Sequence, residues 1–247
     1  RYGNGSRFIA NGCFRRCDQR LDTGSENQIT EMLPLSVIPT ERTEDWWQQR
    51  HQQKLAELQT INEPIEILFL GDSITHEWEA EGEQYWQQYF APRQAFNLGF
   101  SGDRTEHLLW RLQNGELNNL SPEWTIVLIG TNNAGHRLDP PEEIAAGVKA
   151  ILDELYLQLP TSKVLLMAIF PRSRNTNKPM RQRVDTSNAL IKKFVDGKQI
   201  HGLDINQQFL TSDGVLLESV MPDLLHLNSA QYDIWAKAIL SYLQDHQ

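Results

Sequence analysis

The chain has 247 residues and a formal net charge of −9, with a sequence pI near 5.3. This acidic balance argues against nucleic acid or an anionic membrane surface as the main partner, because both repel negative charge. The longest apolar run, 164–170, is far shorter than the roughly 18 residues that a membrane helix needs. No secretory signal is visible. We therefore expect no membrane span and a cytoplasmic location.

The first 33 residues are rich in Gly, Asn and Arg and show no apolar period. This composition predicts a flexible or non-native N-terminal extension, followed by one domain over residues 34–247. Both cysteines, Cys13 and Cys17, lie in the extension. A disulfide scaffold is therefore excluded for the main body, and so is a zinc site built from cysteine alone. The pair could form a local disulfide or have no function.

From residue 43 the chain alternates between helical and strand patterns. A first helix is predicted over 43–59, with Thr43 as its cap and with four apolar residues on its buried side: Trp46, Trp47, Leu55 and Leu58. Strands are predicted over the apolar segments 65–70, 95–98, 124–129, 163–169 and 201–205. Helices are predicted between and after them, over 82–90, 103–113, 141–158, 181–195 and 229–244.

Several of these strands are apolar throughout, which is typical of a parallel sheet covered by helices on both faces. Strands that alternate with helices indicate βαβ units. The pattern predicts an α/β fold, a three-layer αβα sandwich around a parallel sheet. In such folds functional sites collect at the carboxyl ends of the strands.

The loop after the first predicted strand reads GDSIT, residues 71–75. Gly71 allows a sharp exit from the strand, and Ser73 falls near the first turn of the next helix. Helix-end N–H groups there favour developing negative charge. A serine in this place can be a nucleophile, but it can equally be a plain helix cap.

Two further strand-end loops carry hydrogen-bond donors. The segment NLGFSGDRTEH, residues 97–107, exposes backbone N–H groups at a strand-to-helix turn, and Gly102 could direct its amide at an oxyanion. In GTNN, residues 130–133, the side-chain amide of Asn132 could donate to the same oxyanion. Alternatively, Gly102 is an ordinary tight-turn glycine and Asn132 only organises its own turn.

The fourth feature is PDLLHLN, residues 222–228. His226 has a carboxylate three residues earlier, Asp223, which could orient the ring and leave its other nitrogen free to accept a serine proton. His76 and His107 follow acidic residues by four positions, and we interpret them as exposed or capping side chains. No role is assigned to the other four histidines, which are His51, His136, His201 and His246.

Three other catalytic classes fit less well. The segment HEWEA, residues 76–80, begins like a zinc-protease motif but has Ala80 where the second histidine should be. An α/β-hydrolase with Ser101 as nucleophile would need a glycine where Asp103 stands. Paired carboxylates for glycoside hydrolysis remain open, although the acidic residues do not gather at strand ends.

The four loops, in this order, resemble the motifs of the GDSL or SGNH hydrolase family over nearly all of residues 43–245. Within that span, 108–133 and 210–227 are similar to the catalytic subunits of intracellular platelet-activating-factor acetylhydrolase. The resemblance implies a five-stranded, flavodoxin-like parallel sheet and an SGNH hydrolase catalytic domain over residues 34–247. It also implies a serine esterase that needs no metal or organic cofactor, and a homodimer.

Matched position by position, the resemblance implies that Ser73 is the nucleophile and that its own N–H enters the oxyanion hole. Gly102 matches the second oxyanion donor through its backbone, and Asn132 matches the third through its side chain. His226 matches the general base, and Asp223 matches the residue that orients it. The chain departs from the family in residues 1–33 and in HEWEAEG after the nucleophile loop, which leaves the substrate open.

These observations predict a serine esterase that hydrolyses short-chain, acetyl-type esters through an acyl-serine intermediate. Two alternatives stay open, a carbohydrate O-acetylesterase acting on acetylated sugars and an idle binding module on a hydrolase scaffold. The leaving group could be a phospholipid, a sugar or an aryl alcohol. Four tryptophans could form a sugar-stacking platform or serve as half-buried helix anchors, namely Trp46, Trp78, Trp86 and Trp110.

Overall fold

A five-stranded sheet forms the centre of the computed structural model, which describes residues 32–246. The strands are β1 (Ile67–Gly71), β2 (Ala95–Gly99), β3 (Trp124–Leu128), β4 (Lys163–Met167) and β5 (Ile200–Leu203). Their spatial order is β2-β1-β3-β4-β5, and all neighbouring pairs are parallel. This is the flavodoxin-like order, and it confirms the predicted α/β class.

Helices connect and cover these strands. They are α1 (Asp45–Thr60), α2 (Ser73–His76), α3 (Glu83–Tyr85), α4 (Thr105–Arg111), α5 (Pro141–Gln158), α6 (Pro179–Ile191) and α7 (Ser229–Asp245). The longest, α5, begins at a proline whose fixed φ suits the first helical position. Its buried residues recur at helical spacing, as in Ile144, Val148, Ile151 and Leu155.

Two hydrophobic clusters occupy opposite faces of the sheet, because successive strand residues point in opposite directions. Leu68 and Leu70 of β1 pack in a cluster that includes residues of α4, α5 and α6. Ile67 and Phe69 pack in the other, with residues of α2 and α7. The predicted helix–sheet–helix sandwich is therefore present, and both strand faces are buried.

The start of α1 differs from the prediction. Glu44 occupies the N-cap position without a side-chain hydrogen bond, so Thr43 is not the cap. Trp47 is fully buried, whereas Trp46 is 41% exposed, because neighbours separated by about 100° around a helix cannot both face the interior. The buried side also includes two polar residues that were not predicted to be buried, His51 and Lys54.

Both cysteines and nearly all of the predicted extension over 1–33 lie outside the described residues. The proposed domain boundary therefore stays a prediction. Between residues 32 and 246, no helix is both long enough and apolar enough to cross a membrane.

Candidate active site

Ser73, Gly102 and Asn132 lie on loops that leave the carboxyl ends of three neighbouring strands, and Asp223 and His226 lie between β5 and α7. Ser73 follows β1 and Asn132 follows β3, and these two strands are adjacent in the sheet. The strand order reverses at β1, since β2 lies on one side of it and β3 to β5 lie on the other. Such a reversal opens a crevice at the strand ends, which is where ligands bind in this fold class.

Ser73 is the first residue of the one-turn helix α2. Asp72 is the N-cap, and its Oδ1 accepts a hydrogen bond of 3.0 Å from the Ile74 N–H. The alternative that Ser73 merely caps the helix is therefore wrong. Because α2 has only four residues, its macrodipole is small, and the local N–H groups rather than the helix as a whole supply positive potential.

A hydrogen-bonded chain connects Ser73, His226 and Asp223. The Ser73 Oγ lies 2.9 Å from His226 Nε2, and His226 Nδ1 lies 2.6 Å from Asp223 Oδ2. Because an ionised carboxylate can only accept, the ring proton belongs on Nδ1, which leaves the Nε2 lone pair facing the serine hydroxyl. This is the arrangement that proton transfer from serine to imidazole requires.

Asp223 holds His226 through its other oxygen as well. Oδ1 accepts from the Leu225 N–H at 3.0 Å and from the His226 N–H at 2.7 Å, in a turn rather than a helix. Burial opposes ionisation of this carboxyl, but the hydrogen bonds from His226 and Leu225 outweigh it and lower the pKa of Asp223 below its ordinary value. At neutral pH Asp223 is therefore an ionised carboxylate that accepts the Nδ1 hydrogen of His226.

Gly102 and Asn132 lie on the loops after β2 and β3, which meet at Asp103. Gly102 has a φ of +80°, a backbone conformation that residues other than glycine rarely adopt. The Asn132 Nδ2 donates one hydrogen to the Asp103 carbonyl at 2.9 Å, and its second hydrogen remains available. Among residues 32–246, neither the Gly102 N–H nor the Ser73 N–H has a hydrogen-bond acceptor. These two backbone N–H groups and the second Asn132 hydrogen are thus available to a ligand, and their convergence on one oxyanion stays a prediction.

Asp72, next to the serine, is a buried carboxyl that the sequence interpretation did not single out. Its Oδ2 has no hydrogen-bond partner among the described residues. Burial raises the pKa of Asp72 to about 7, despite the opposing effects of the Ile74 N–H and the charge of His226. A signal was available in the sequence, because an Asp that precedes a helix start is a common cap.

Of the two histidines interpreted as exposed or capping, His76 is placed differently from the prediction and His107 is a cap. His76 is half-buried rather than exposed, and its Nδ1 lies 3.2 Å from the Ser101 N–H and 3.0 Å from the Ser101 Oγ. His107 does cap α4, since its Nδ1 accepts from the Arg104 N–H at 3.0 Å, but the ring is buried. No sequence signal predicts the contact between His76 and Ser101, because it joins two separate loops.

The four tryptophans do not form one platform. Trp78 is fully buried, Trp86 and Trp110 are half-buried, and Trp46 is exposed next to the ring of His76. The interpretation as helix anchors therefore holds for three of them. Within the described part of the chain, no group of three or more histidine, cysteine or acidic side chains could hold a metal ion.

A family model described as the GDSL-like Lipase/Acylhydrolase family matches residues 69–234. Platelet-activating factor acetylhydrolase IB subunit alpha1 of Bos taurus is 32% identical over 225 residues, which cover 90% of this chain and 91% of that protein. The alpha2 subunit of Gallus gallus is 35% identical over 190 residues, covering 76% of this chain and 80% of that protein.

Solved structures show the same fold. A GDSL-like lipase from Bacteroides thetaiotaomicron superposes with a TM-score of 0.68 at 19% identity, covering 81% of this chain and 98% of that one. An acetylxylan esterase from Geobacillus stearothermophilus superposes with a TM-score of 0.58 at 20% identity, covering 71% and 92%. At these identities the likeness is one of fold.

Proposed function

Because the chain belongs to the GDSL-like lipase/acylhydrolase family and is a carboxylic ester hydrolase, we propose that it is a serine esterase acting on short-chain, acetyl-type esters. The observation that supports this proposal most directly is the 2.9 Å contact between Ser73 Oγ and His226 Nε2, with Asp223 behind the ring. A nucleophile, a base and a group that orients the base are thereby within hydrogen-bond distance of one another.

In the first half of the reaction, Ser73 Oγ attacks the ester carbonyl carbon while its proton passes to His226 Nε2. The carbonyl oxygen becomes an oxyanion, which the Ser73 N–H, the Gly102 N–H and the Asn132 side chain stabilise. The imidazolium then protonates the leaving alcohol as the carbon–oxygen bond breaks. The products of this half are the free alcohol and an acyl-serine.

In the second half, His226 takes a proton from a water molecule that attacks the acyl-serine carbonyl. The same donors hold the second oxyanion, and the proton returns to Ser73 Oγ as the carboxylic acid leaves. Asp223 stays ionised throughout, since its role is to hold the ring and to stabilise the imidazolium. No step consumes anything except the ester and water.

The Ser73→Ala variant tests the nucleophile. We expect its kcat for p-nitrophenyl acetate to fall by at least about 10³-fold, because no acyl-serine can form. The matched control is Ser101→Ala, which removes a hydroxyl from the rival nucleophile position and should retain activity. A fluorophosphonate probe should label the parent protein and leave Ser73→Ala unlabelled. A parent protein that neither turns over the ester nor takes the label would instead support the idle binding module.

A panel of acyl chains and leaving groups tests the substrate class. The names of the relatives, acetylhydrolase and acetylxylan esterase, support a preference for acetyl groups. We expect kcat/KM for p-nitrophenyl acetate to exceed that for p-nitrophenyl decanoate by about tenfold or more. A preference for decanoate would contradict the proposal. Comparing acetylated xylo-oligosaccharides with a short-chain phospholipid then identifies the leaving group.

The homodimer and the cytoplasmic location implied for this chain stay predictions.

A further inference from the structure

His76 is a half-buried residue that the reaction above does not use. It is the last residue of α2, three positions after Ser73, and its ring faces the loop that follows β2. The backbones of α2 and β2 are in close contact there, because a Cβ at Gly99 would lie 2.2 Å from the His76 nitrogen. The Asn97 side chain donates to the Thr75 carbonyl at 3.0 Å and strengthens the same contact. The nucleophile turn therefore lies directly against the loop that contains Gly102.

The contact between His76 and Ser101 has a defined direction. The Ser101 N–H lies 3.2 Å from His76 Nδ1, and a backbone N–H can only donate. Nδ1 must therefore carry the lone pair, and the ring proton must be on Nε2. The Ser101 hydroxyl, 3.0 Å from the same nitrogen, adds a second donor.

Ser101 is held from its other side by Arg42. The Arg42 Nη1 donates to the Ser101 carbonyl at 2.7 Å and to Asp103 Oδ1 at 3.0 Å. The carbonyl of Ser101 and the N–H of Gly102 belong to one planar trans peptide group, in which they point in opposite directions. Fixing that carbonyl therefore fixes the direction of the Gly102 N–H.

We propose that His76 and Arg42 are positioning residues for the oxyanion hole, which clamp Ser101 through its N–H and its carbonyl so that the Gly102 N–H points at the reacting carbonyl. The inference rests on the proposed function, because it assigns Gly102 the role of oxyanion donor. It explains why the donor lies on a loop and is nevertheless fixed relative to the nucleophile. Both the N–H and the C=O of one residue are held by side chains from two other segments.

A second serine–histidine nucleophile is the other interpretation of this contact, and the surroundings of His76 argue against it. Burial and the nearby cations Arg50 and Lys54 lower the pKa of His76 to about 4, despite the opposing charge of Glu79, so the ring is a weak base. Glu79 lies 3.9 Å from Nε2, and it is engaged by Arg50 at 2.8 Å and by Lys54 at 2.9 Å. The ring accepts hydrogen bonds here and does not activate the serine.

Two substitutions of His76 separate the contribution of its hydrogen-bond acceptor to activity from the contribution of its ring. His76→Phe keeps a ring beside Trp46 and removes the acceptor, whereas His76→Asn loses the ring and keeps an acceptor two bonds from Cβ. We expect His76→Phe to lower kcat for p-nitrophenyl acetate by about 10²-fold with KM within about threefold, because a misplaced oxyanion donor acts on the transition state alone. We expect His76→Asn to restore most of kcat.

Three results would overturn the inference: both variants close to the parent, both equally impaired, or a change confined to KM. If circular dichroism shows that His76→Phe is unfolded, the pair Arg42→Met and Arg42→Lys decides by the same criteria, since only lysine can still donate to the Ser101 carbonyl. Failure of the proposed function is distinguishable, because it would leave the parent protein inactive or Ser73→Ala fully active.

Discussion

At the residue scale, Asp72 combines a structural task with an electrostatic cost. Its Oδ1 caps the turn that carries Ser73, while its Oδ2 is buried without a partner among the described residues. An ionised carboxylate in that position loses hydration that only one N–H replaces, which is why burial raises the pKa of Asp72 to about 7 from an ordinary 3.8. The residue beside the nucleophile is thus protonated in part at neutral pH.

The stability of the protein should therefore depend on pH through Asp72. Below about pH 4 the carboxyl is protonated in both the folded and the unfolded chain, and it adds no pH dependence. Between about pH 4 and pH 7 the Asp72 carboxyl ionises more readily in the unfolded chain than in the folded one. The free energy of unfolding therefore falls as pH rises. Asp72→Asn keeps an acceptor for the Ile74 N–H, and because it cannot ionise, it removes this pH-dependent loss of stability. From pH 5 to pH 7 we expect the parent to lose about 2 kcal/mol more than Asp72→Asn.

Urea unfolding of both proteins at pH 5, 6, 7 and 8 measures the difference. Asp153→Asn is the control for the removal of one carboxylate, because the Asp153 side chain is exposed on α5. Parallel stability curves for Asp72→Asn and the parent protein would show that Asp72 is ionised in the fold from low pH.

At the scale of elements, the loop after β2 is fastened by buried charge. Asp103 in this loop accepts from the Trp47 Nε1 of α1 at 2.7 Å and from the Arg111 Nε of α4 at 2.9 Å. Arg111 is fully buried, pairs with Glu116 as well, and lies over the ring of Phe100 at 3.9 Å. Asp103 thereby connects α1 and α4 to the loop that contains Gly102, and Arg111 supplies the α4 side of this connection.

Replacing Arg111 with Met should destabilise the protein strongly. The variant keeps the length of the side chain but removes the guanidinium from the buried carboxylate of Glu116 and leaves Asp103 with Arg42 as its cation. Breaking a buried ion pair in this way costs about 3–5 kcal/mol in comparable cases. The exposed pair on α5 supplies the control, since Lys149→Met should cost about 0.5 kcal/mol or less. Urea unfolding measures both. A cost below about 1 kcal/mol for Arg111→Met would mean that the two carboxylates find other partners or protons.

At the scale of the whole molecule, the parallel sheet follows from features that a sequence displays. The segment WTIVL of β3 is buried at every position, and such unbroken apolar runs between helical segments indicate a parallel sheet. Ser73, Asn132 and the pair Asp223–His226 could be found in the same way, because strand ends converge in this fold. The contacts of His226 with Ser73 and Asp223 are observed, while the catalytic roles of all four residues remain a proposal.

Other features depended on long-range contacts that no local pattern encodes. The sequence around Lys54 is typical of a surface residue. Its burial depends on Glu79, 25 positions later, which accepts from Lys54 Nζ at 2.9 Å. Trp46 and Trp47 are indistinguishable as residue types, and only the position of Asp103 decides which indole is buried. The pairing of His76 with Ser101 is unpredictable for the same reason, since it depends on how closely α2 approaches β2.

The contact between Ser73 and His226 joins positions 153 residues apart, and this separation has a consequence for biosynthesis. Since the chain is synthesised from its N-terminus, all five strands, Ser73, Gly102 and Asn132 are made before Asp223 and His226. Until Asp223 and His226 emerge and α7 docks, with Tyr232 donating to the Ile74 carbonyl at 2.7 Å, the nascent chain holds Ser73 without the imidazole that lies beside it in the fold. The contact between Ser73 and His226 can therefore form only after all five strands of the sheet have been synthesised.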